Sequence, residues 1–261
     1  MTMPNWSVGV SYLQGLCEMG ECMSYMRIQA ALDYNLTMED AYDIVDETLA
    51  SVEVYEIGTP FLRDHRGLKC VRAMRANYPG ITLYVDTKIE DIGLKETMNL
   101  NTGLVSDPYD AAASAFEAGG DIVTIMANSS NRAIEQTVLA ARRYGGEVLA
   151  DLMDVEDVVG RARELDELGV DYVSANKLYV GQDPELTKGP YQPLIDLVAI
   201  TPVVRRGRTS IQGGVTLENI GEIAKARPSL ICIGRGIYAA EDRRAAAAAF
   251  KAILDEEELS W

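Results

Sequence analysis

Eight short apolar runs recur along this chain, separated by stretches with apolar residues at three- and four-residue spacing, and that alternation permits few folds. The runs are Arg27 to Leu32, Val52 to Ile57, Ile81 to Val85, Asp121 to Met126, Glu147 to Leu152, Asp171 to Ala175, Thr209 to Gln212 and Leu230 to Ile233. Helical spacing is clearest over Met38 to Leu49, Ala111 to Ala118, Asn131 to Tyr144, Val155 to Leu168 and Arg243 to Leu254, with Gly119-Gly120, Gly145-Gly146 and Gly169 as stops. Repeated strand-helix units predict a parallel sheet. Eight of them, with no Gly-x-Gly-x-x-Gly after the first strand, predict a closed (β/α)8 TIM barrel rather than an open doubly wound sheet. The predicted organisation is an N-terminal extension, residues 1–25, followed by a single barrel domain, residues 26–261.

Charge narrows the partners. The chain carries 40 acidic and 24 basic residues, a formal net charge of −16, and has no basic stripe with which to displace counterions from nucleic acid. A small-molecule partner is expected. Cys17, Cys22, Cys70 and Cys232 lack paired Cys-x-x-Cys spacing, which signals neither a disulfide framework nor a structural zinc site and suits a reducing cytoplasm. No apolar run reaches the about 18 residues of a membrane span. The N-terminus also lacks the basic start and apolar core of a secretory signal.

Chemistry in such a barrel gathers at the C-terminal ends of the strands. Collected strand by strand, those ends hold Asp33, Glu56, Asp86 with Lys88 and Asp91, and Asp151. Asp86 and Lys88 are two apart on a strand, so they project together on one face, and Asp91 can fold back beside them. Singly, each acid is as well explained by a turn or a cap. Together, five acids and a lysine on one rim repel unless something uses them, and neighbouring carboxylates suit a hard cation such as Mg²⁺. Glu56 and Asp86 are the metal candidates.

The last two strands end in Gln212-Gly213-Gly214-Val215-Thr216 and Gly234-Arg235-Gly236-Ile237. Glycine turns after strands seven and eight commonly expose backbone N–H groups to a phosphate, and an arginine adds charge-assisted hydrogen bonds. Gly213, Gly214, Gly234 and Arg235 are therefore phosphate-binding candidates. A second basic run, Arg205-Arg206-Gly207-Arg208, reads either as an exposed loop or as a further phosphate contact. The connection Leu94 to Asp107 is long for a βα loop and is a candidate lid.

Ala31-Leu32-Asp33, Glu56-Ile57-Gly58-Thr59-Pro60, Asp86-Thr87-Lys88-Ile89-Glu90-Asp91 and the two glycine turns, in that order, resemble the orotidine 5′-monophosphate decarboxylase superfamily. Within it they are most similar to the 3-hexulose-6-phosphate synthase and 3-keto-L-gulonate-6-phosphate decarboxylase branch, over roughly Met26 to Leu254. The resemblance implies a metal-stabilised 1,2-enediolate of a ketose phosphate, with Glu56 and Asp86 binding Mg²⁺. It also implies that Lys88, Asp91 and Asp33 act at the reacting end, and that a homodimer forms near whose interface the sites lie.

The family places a histidine just after strand six, where this chain has Asn176, which cannot act as a base near neutral pH. The single histidine, His65, in the loop after strand two, could substitute for it, but beside Arg63, Asp64 and Arg66 it reads rather as an exposed loop residue; Lys177 and Tyr179 are the other candidate replacements. The expectation is a Mg²⁺-dependent aldolase-type lyase nearest to 3-hexulose-6-phosphate synthase. Its alternatives are a keto-sugar-acid phosphate decarboxylase and a non-catalytic sugar-phosphate binder.

Overall fold

The computed structural model describes residues 25–33, 35–89, 107–176 and 191–260. The extension before Tyr25, Asp91, the candidate lid over residues 94–106, Lys177 and Tyr179 lie outside the described residues.

Eight parallel strands close into one barrel in sequence order: β1 (Arg27–Leu32), β2 (Val54–Ile57), β3 (Thr82–Ile89), β4 (Ile122–Met126), β5 (Glu147–Asp151), β6 (Tyr172–Asn176), β7 (Arg208–Gln212) and β8 (Leu230–Ile233). Closure pairs β1 with β8, Gln29 opposite Cys232. The helices are α1 (Met38–Thr48), α2 (Thr59–Asp64), α3 (Leu68–Asn77), α4 (Pro108–Glu117), α5 (Asn131–Tyr144), α6 (Val158–Leu168), α7 (Gln192–Ile200), α8 (Ile220–Ala224), α9 (Arg235–Tyr238) and α10 (Arg243–Leu259).

Local chemistry sets the helix starts. Thr37 and Asp40 form a capping box that opens α1, while Ser130, Asp157 and Asp242 each accept a backbone N–H at the start of α5, α6 and α10. The Asp157 cap explains why α6 begins at Val158 and not at Val155. At the other end α10 runs past Leu254 to Leu259, through an acidic turn that periodicity alone missed.

The apolar residues divide in two. One large cluster lies between the sheet and the helices, with Ile44, Leu62, Val71, Ile134, Leu165, Leu197 and Phe250 packing against outward strand residues such as Ile57, Val85 and Ile233. The second lies inside the barrel and comprises Val54, Tyr84, Ile122, Leu149, Tyr172 and Leu230. Since side chains alternate along a strand, the residues two further on from these point into the same interior, nearer the C-terminal mouth. They are Glu56, Asp86, Thr124, Asp151, Ser174 and Cys232, and all are buried. The barrel is thus apolar in its lower tier and polar above it.

The opposite end is closed by charge. Arg208 lies over the Tyr172 ring at 4.0 Å and pairs with Glu147, while Arg27 donates to the Tyr172 hydroxyl. The backbone N–H groups of Arg205, Arg206 and Gly207 all donate to the Asp166 carboxylate. This basic run leads into the N-terminal end of β7, so it sits on the face away from the rim of acids. The phosphate contact considered for it is corrected: the loop is a structural turn built on Asp166.

Candidate active site

At the C-terminal mouth, β3 departs from regular geometry. Val85 pairs with Val123 and Ile89 with Ile125, so four steps of β3 span two of β4. The excess is absorbed in a bulge at Asp86, Thr87 and Lys88, where Lys88 has a φ of 43°. Thr87 Oγ1 donates to the Thr124 carbonyl at 2.6 Å and bonds across this irregular stretch. Asp86 and Lys88 do meet, with Lys88 Nζ 3.1 Å from Asp86 Oδ1, but through the bulge and not through strand alternation. A left-handed backbone at a non-glycine residue costs about 1–3 kcal/mol, and such strain concentrates at functional sites.

Lys88 Nζ also lies 3.2 Å from Asp151 Oδ2 on β5. Asn176, the last residue of β6, donates its Nδ2 to that same oxygen at 2.7 Å, and Asp151 Oδ1 accepts the Met153 N–H at 2.9 Å. Burial works against the Lys88 ammonium, yet Asp86 and Asp151 outweigh it and raise its pKa well above the usual lysine value. Lys88 is therefore a fixed cation at neutral pH.

On the other side of the mouth, Glu56 is buried. Its Oε2 accepts from Gln29 Nε2 at 2.6 Å and from Cys232 Sγ at 3.2 Å. Burial first, then the charges of Asp86 and Asp33, push the Glu56 carboxyl up to about 8. Burial and Asp86 raise Asp33 to about 6. Thr59 Oγ1, at the start of α2, donates toward Asp86 Oδ2 at 3.0 Å and toward its carbonyl at 2.8 Å, which ties β2 to β3. A Cβ on Gly58 would lie 2.2 Å from Asp33 Oδ1, so that position admits only glycine without displacing the acid.

The glycine turns flank this cluster. Gly213 and Gly214 follow β7 with φ of 80° and 83°, both in the region that favours glycine. The Gly213 carbonyl is held by the Tyr191 hydroxyl at 2.7 Å, and the Gly214 carbonyl by Asn219 Nδ2 at 3.0 Å. Gly234 caps α9, and Arg235 is exposed. His65 is partly buried, not exposed as expected. Its ring lies against Phe61, and its Nε2 is 2.6 Å from the Leu36 carbonyl, to which it donates.

Asp33, Glu56, Asp86, Lys88 and Asn176 therefore converge on the C-terminal mouth, with Gly213, Gly214 and Gly234 on turns at the same end and Arg235 opening α9 there. Sequence reading placed Asp151 on the rim without a site role, and it missed Gln29, Thr59 and Cys232. A polar Gln29 among the apolar Ile28, Ala30, Ala31 and Leu32 of β1 was the available signal.

Among the described residues, no three His, Cys, Asp or Glu side chains stand in metal-holding geometry. The donor set nevertheless fits a hard divalent cation, because Glu56 and Asp86 are oxygen donors whose like charges, together with Asp33, disfavour ionisation of Glu56. Cys70 and Cys232 are free and buried. No helix among the described residues is long and apolar enough to cross a membrane.

A closed eight-stranded β/α barrel with acids and a lysine at the C-terminal mouth is the class defined by this fold and site. Residues 26–250 match the orotidine 5′-phosphate decarboxylase / HUMPS family, and the chain belongs to that family. It is 30% identical over 229 residues to the 3-hexulose-6-phosphate synthase of Bacillus subtilis, covering 88% of this chain and 99% of that one. A solved 3-hexulose-6-phosphate synthase from Salmonella typhimurium superposes with a TM-score of 0.76 at 27% identity, covering 89% of this chain and 100% of that chain. The 3-keto-L-gulonate-6-phosphate decarboxylase of Vibrio cholerae shares the fold, with a TM-score of 0.71 at 24% identity over 89% of this chain and 98% of that chain.

Proposed function

We propose that the chain is a Mg²⁺-dependent carbon–carbon lyase acting on a ketose phosphate through a 1,2-enediolate, nearest in activity to 3-hexulose-6-phosphate synthase. The observation that carries this is the convergence of Glu56, Asp86, Lys88 and Asp151 on one buried mouth. The kinship to synthases across nearly the whole chain supports the choice of substrate class.

Glu56 and Asp86 would hold the Mg²⁺, which when bound offsets the negative charge that develops on the two substrate oxygens of an enediolate. Lys88, kept charged by Asp86 and Asp151, faces the same developing charge as a preorganised cation. Asp33 and Asp91 complete the reacting end. Gly213, Gly214, Gly234 and Arg235 hold the phosphate and so fix the orientation of the carbon that reacts. Asn176, bonded to Asp151, steadies the Lys88 partner and offers no proton carrier. A homodimer in a reducing cytoplasm completes the proposal; the buried free thiols suit the compartment, and light scattering tests the dimer.

Proton NMR of ribulose 5-phosphate in D2O tests the chemistry. Mg²⁺-dependent loss of the C1 proton signal, abolished by Glu56→Gln, is the expected result, followed by condensation when formaldehyde is added. Asn176 at the place of the family histidine favours a second reading, a sugar-phosphate binder without turnover. Tight ribulose 5-phosphate binding with no exchange would establish that reading, whereas CO2 release from a keto-sugar-acid phosphate would establish the decarboxylase.

A further inference from the structure

We infer that Gln29 and Cys232 are positioning residues that together fix which oxygen Glu56 presents to a divalent cation; the inference rests on the metal role proposed for Glu56. Gln29 on β1 and Cys232 on β8 are register partners, so they stand side by side on adjacent strands. Both reach to β2 and place a hydrogen on one atom, Glu56 Oε2, at 2.6 and 3.2 Å. Glu56 Oε1 accepts no hydrogen bond among the described residues.

The terminal torsion of a free glutamate is broad, so its carboxylate has no preferred oxygen. Two donors on Oε2 remove that freedom. They hold the plane of the carboxylate and partly neutralise Oε2, which leaves Oε1 as the oxygen offered for ligation. Hydrogen bonds of this kind, one step behind a ligand, commonly govern metal affinity.

A packing role alone accounts poorly for Gln29. The side chain is fully buried, and its Oε1 has no hydrogen-bond partner. An unmatched buried amide oxygen is costly, and valine or leucine would fill a strand interior without that cost. Cys232 is the complementary case: a compact thiol that fits the interior and still donates weakly.

The test is Mn²⁺ binding to the full chain, followed by electron paramagnetic resonance. Thermal melting serves as a check on folding. Glu56→Gln is expected to abolish high-affinity binding. Gln29→Leu should raise the Mn²⁺ Kd by about tenfold. Cys232→Ala should raise it by about threefold, while Cys232→Ser, which keeps a donor, restores it toward the parent value. Loss of binding in Glu56→Gln with parent-like affinity in Gln29→Leu and in both Cys232 variants would overturn the positioning role and leave the metal role intact. Unchanged binding in Glu56→Gln would overturn both. Should Gln29→Leu fail to fold, the contrast between alanine and serine at position 232 decides the matter.

Discussion

Lys88 and Asn176, from β3 and β6, meet on a single atom, Oδ2 of Asp151 on β5, at 3.2 and 2.7 Å. That oxygen joins three strands, and among the described residues its partners are the ammonium of Lys88 and the amide of Asn176. Asp151→Asn is expected to leave Lys88 with Asp86 as its acidic partner among the described residues and to cost about 3 kcal/mol, the scale for breaking a buried ion pair. Urea unfolding measures it, and turnover should fall by at least about a hundredfold as the lysine loses its placement. Parent-like stability would show that Asp151 is not needed to balance Lys88.

Asn176→Asp places a second carboxylate 2.7 Å from Asp151 at the position where an amide now donates. Like charges at that distance should destabilise the protein by about 1–3 kcal/mol at pH 7, with recovery as pH falls and one of the pair takes up a proton. Asn176→Ala should cost less, since it removes a donor without adding a charge. Thermal melts of both variants at pH 5 and pH 8 check the order.

Glu56 gives the metal-free protein a pH signature. Its folded-state pKa, about 8, lies above the ordinary 4.5, so the folded chain binds the proton more tightly than the unfolded chain. The associated stability is complete below about pH 4.5 and is lost as pH rises through about 8. Glu56→Gln removes this loss. The variant should therefore gain in melting temperature over the parent as pH rises from 5 to 9, by the equivalent of about 1–3 kcal/mol, while losing activity. Mg²⁺ should raise the parent's melting temperature and not the variant's. A pH-independent gap between the two proteins would show that Glu56 is not held protonated.

Gly58→Ala tests close approach. The added Cβ would come 2.2 Å from Asp33 Oδ1 and 2.7 Å from the Leu32 carbonyl, and the latter is backbone that yields poorly. Asp33 should be displaced, with kcat/KM reduced by about a hundredfold if misplacement approaches 1 Å. Steady-state kinetics beside Asp33→Ala checks this: the two variants should be impaired to a similar degree.

Asp166→Ala provides the contrast from the other end of the barrel. It orphans the N–H groups of Arg205, Arg206 and Gly207 and should cost about 2–4 kcal/mol in chemical unfolding. Substrate KM should be unchanged, because this turn leads into the N-terminal end of β7. A raised KM would return Arg205 to Arg208 to the site.

The strand and helix periods were legible in the chain because they are local: a period of two marks a half-turned strand residue, and a period near 3.6 marks a helix face, whatever lies across the sheet. The acids at strand ends and the two glycine turns were legible for the same reason, and eight repeats sufficed to predict closure. Which side chains meet inside was not local. Asp151 acquires Lys88 and Asn176, and Glu56 acquires Gln29 and Cys232, only once closure sets the stagger of each strand against its neighbours. The bulge that turns Lys88 toward Asp151 depends on the pairing of β3 with β4, and the basic run fell on the far face because Asp166 gathers the backbone of Arg205, Arg206 and Gly207 there. Periodicity fixes the direction in which a side chain points along its own strand. Only the register between strands fixes what it touches.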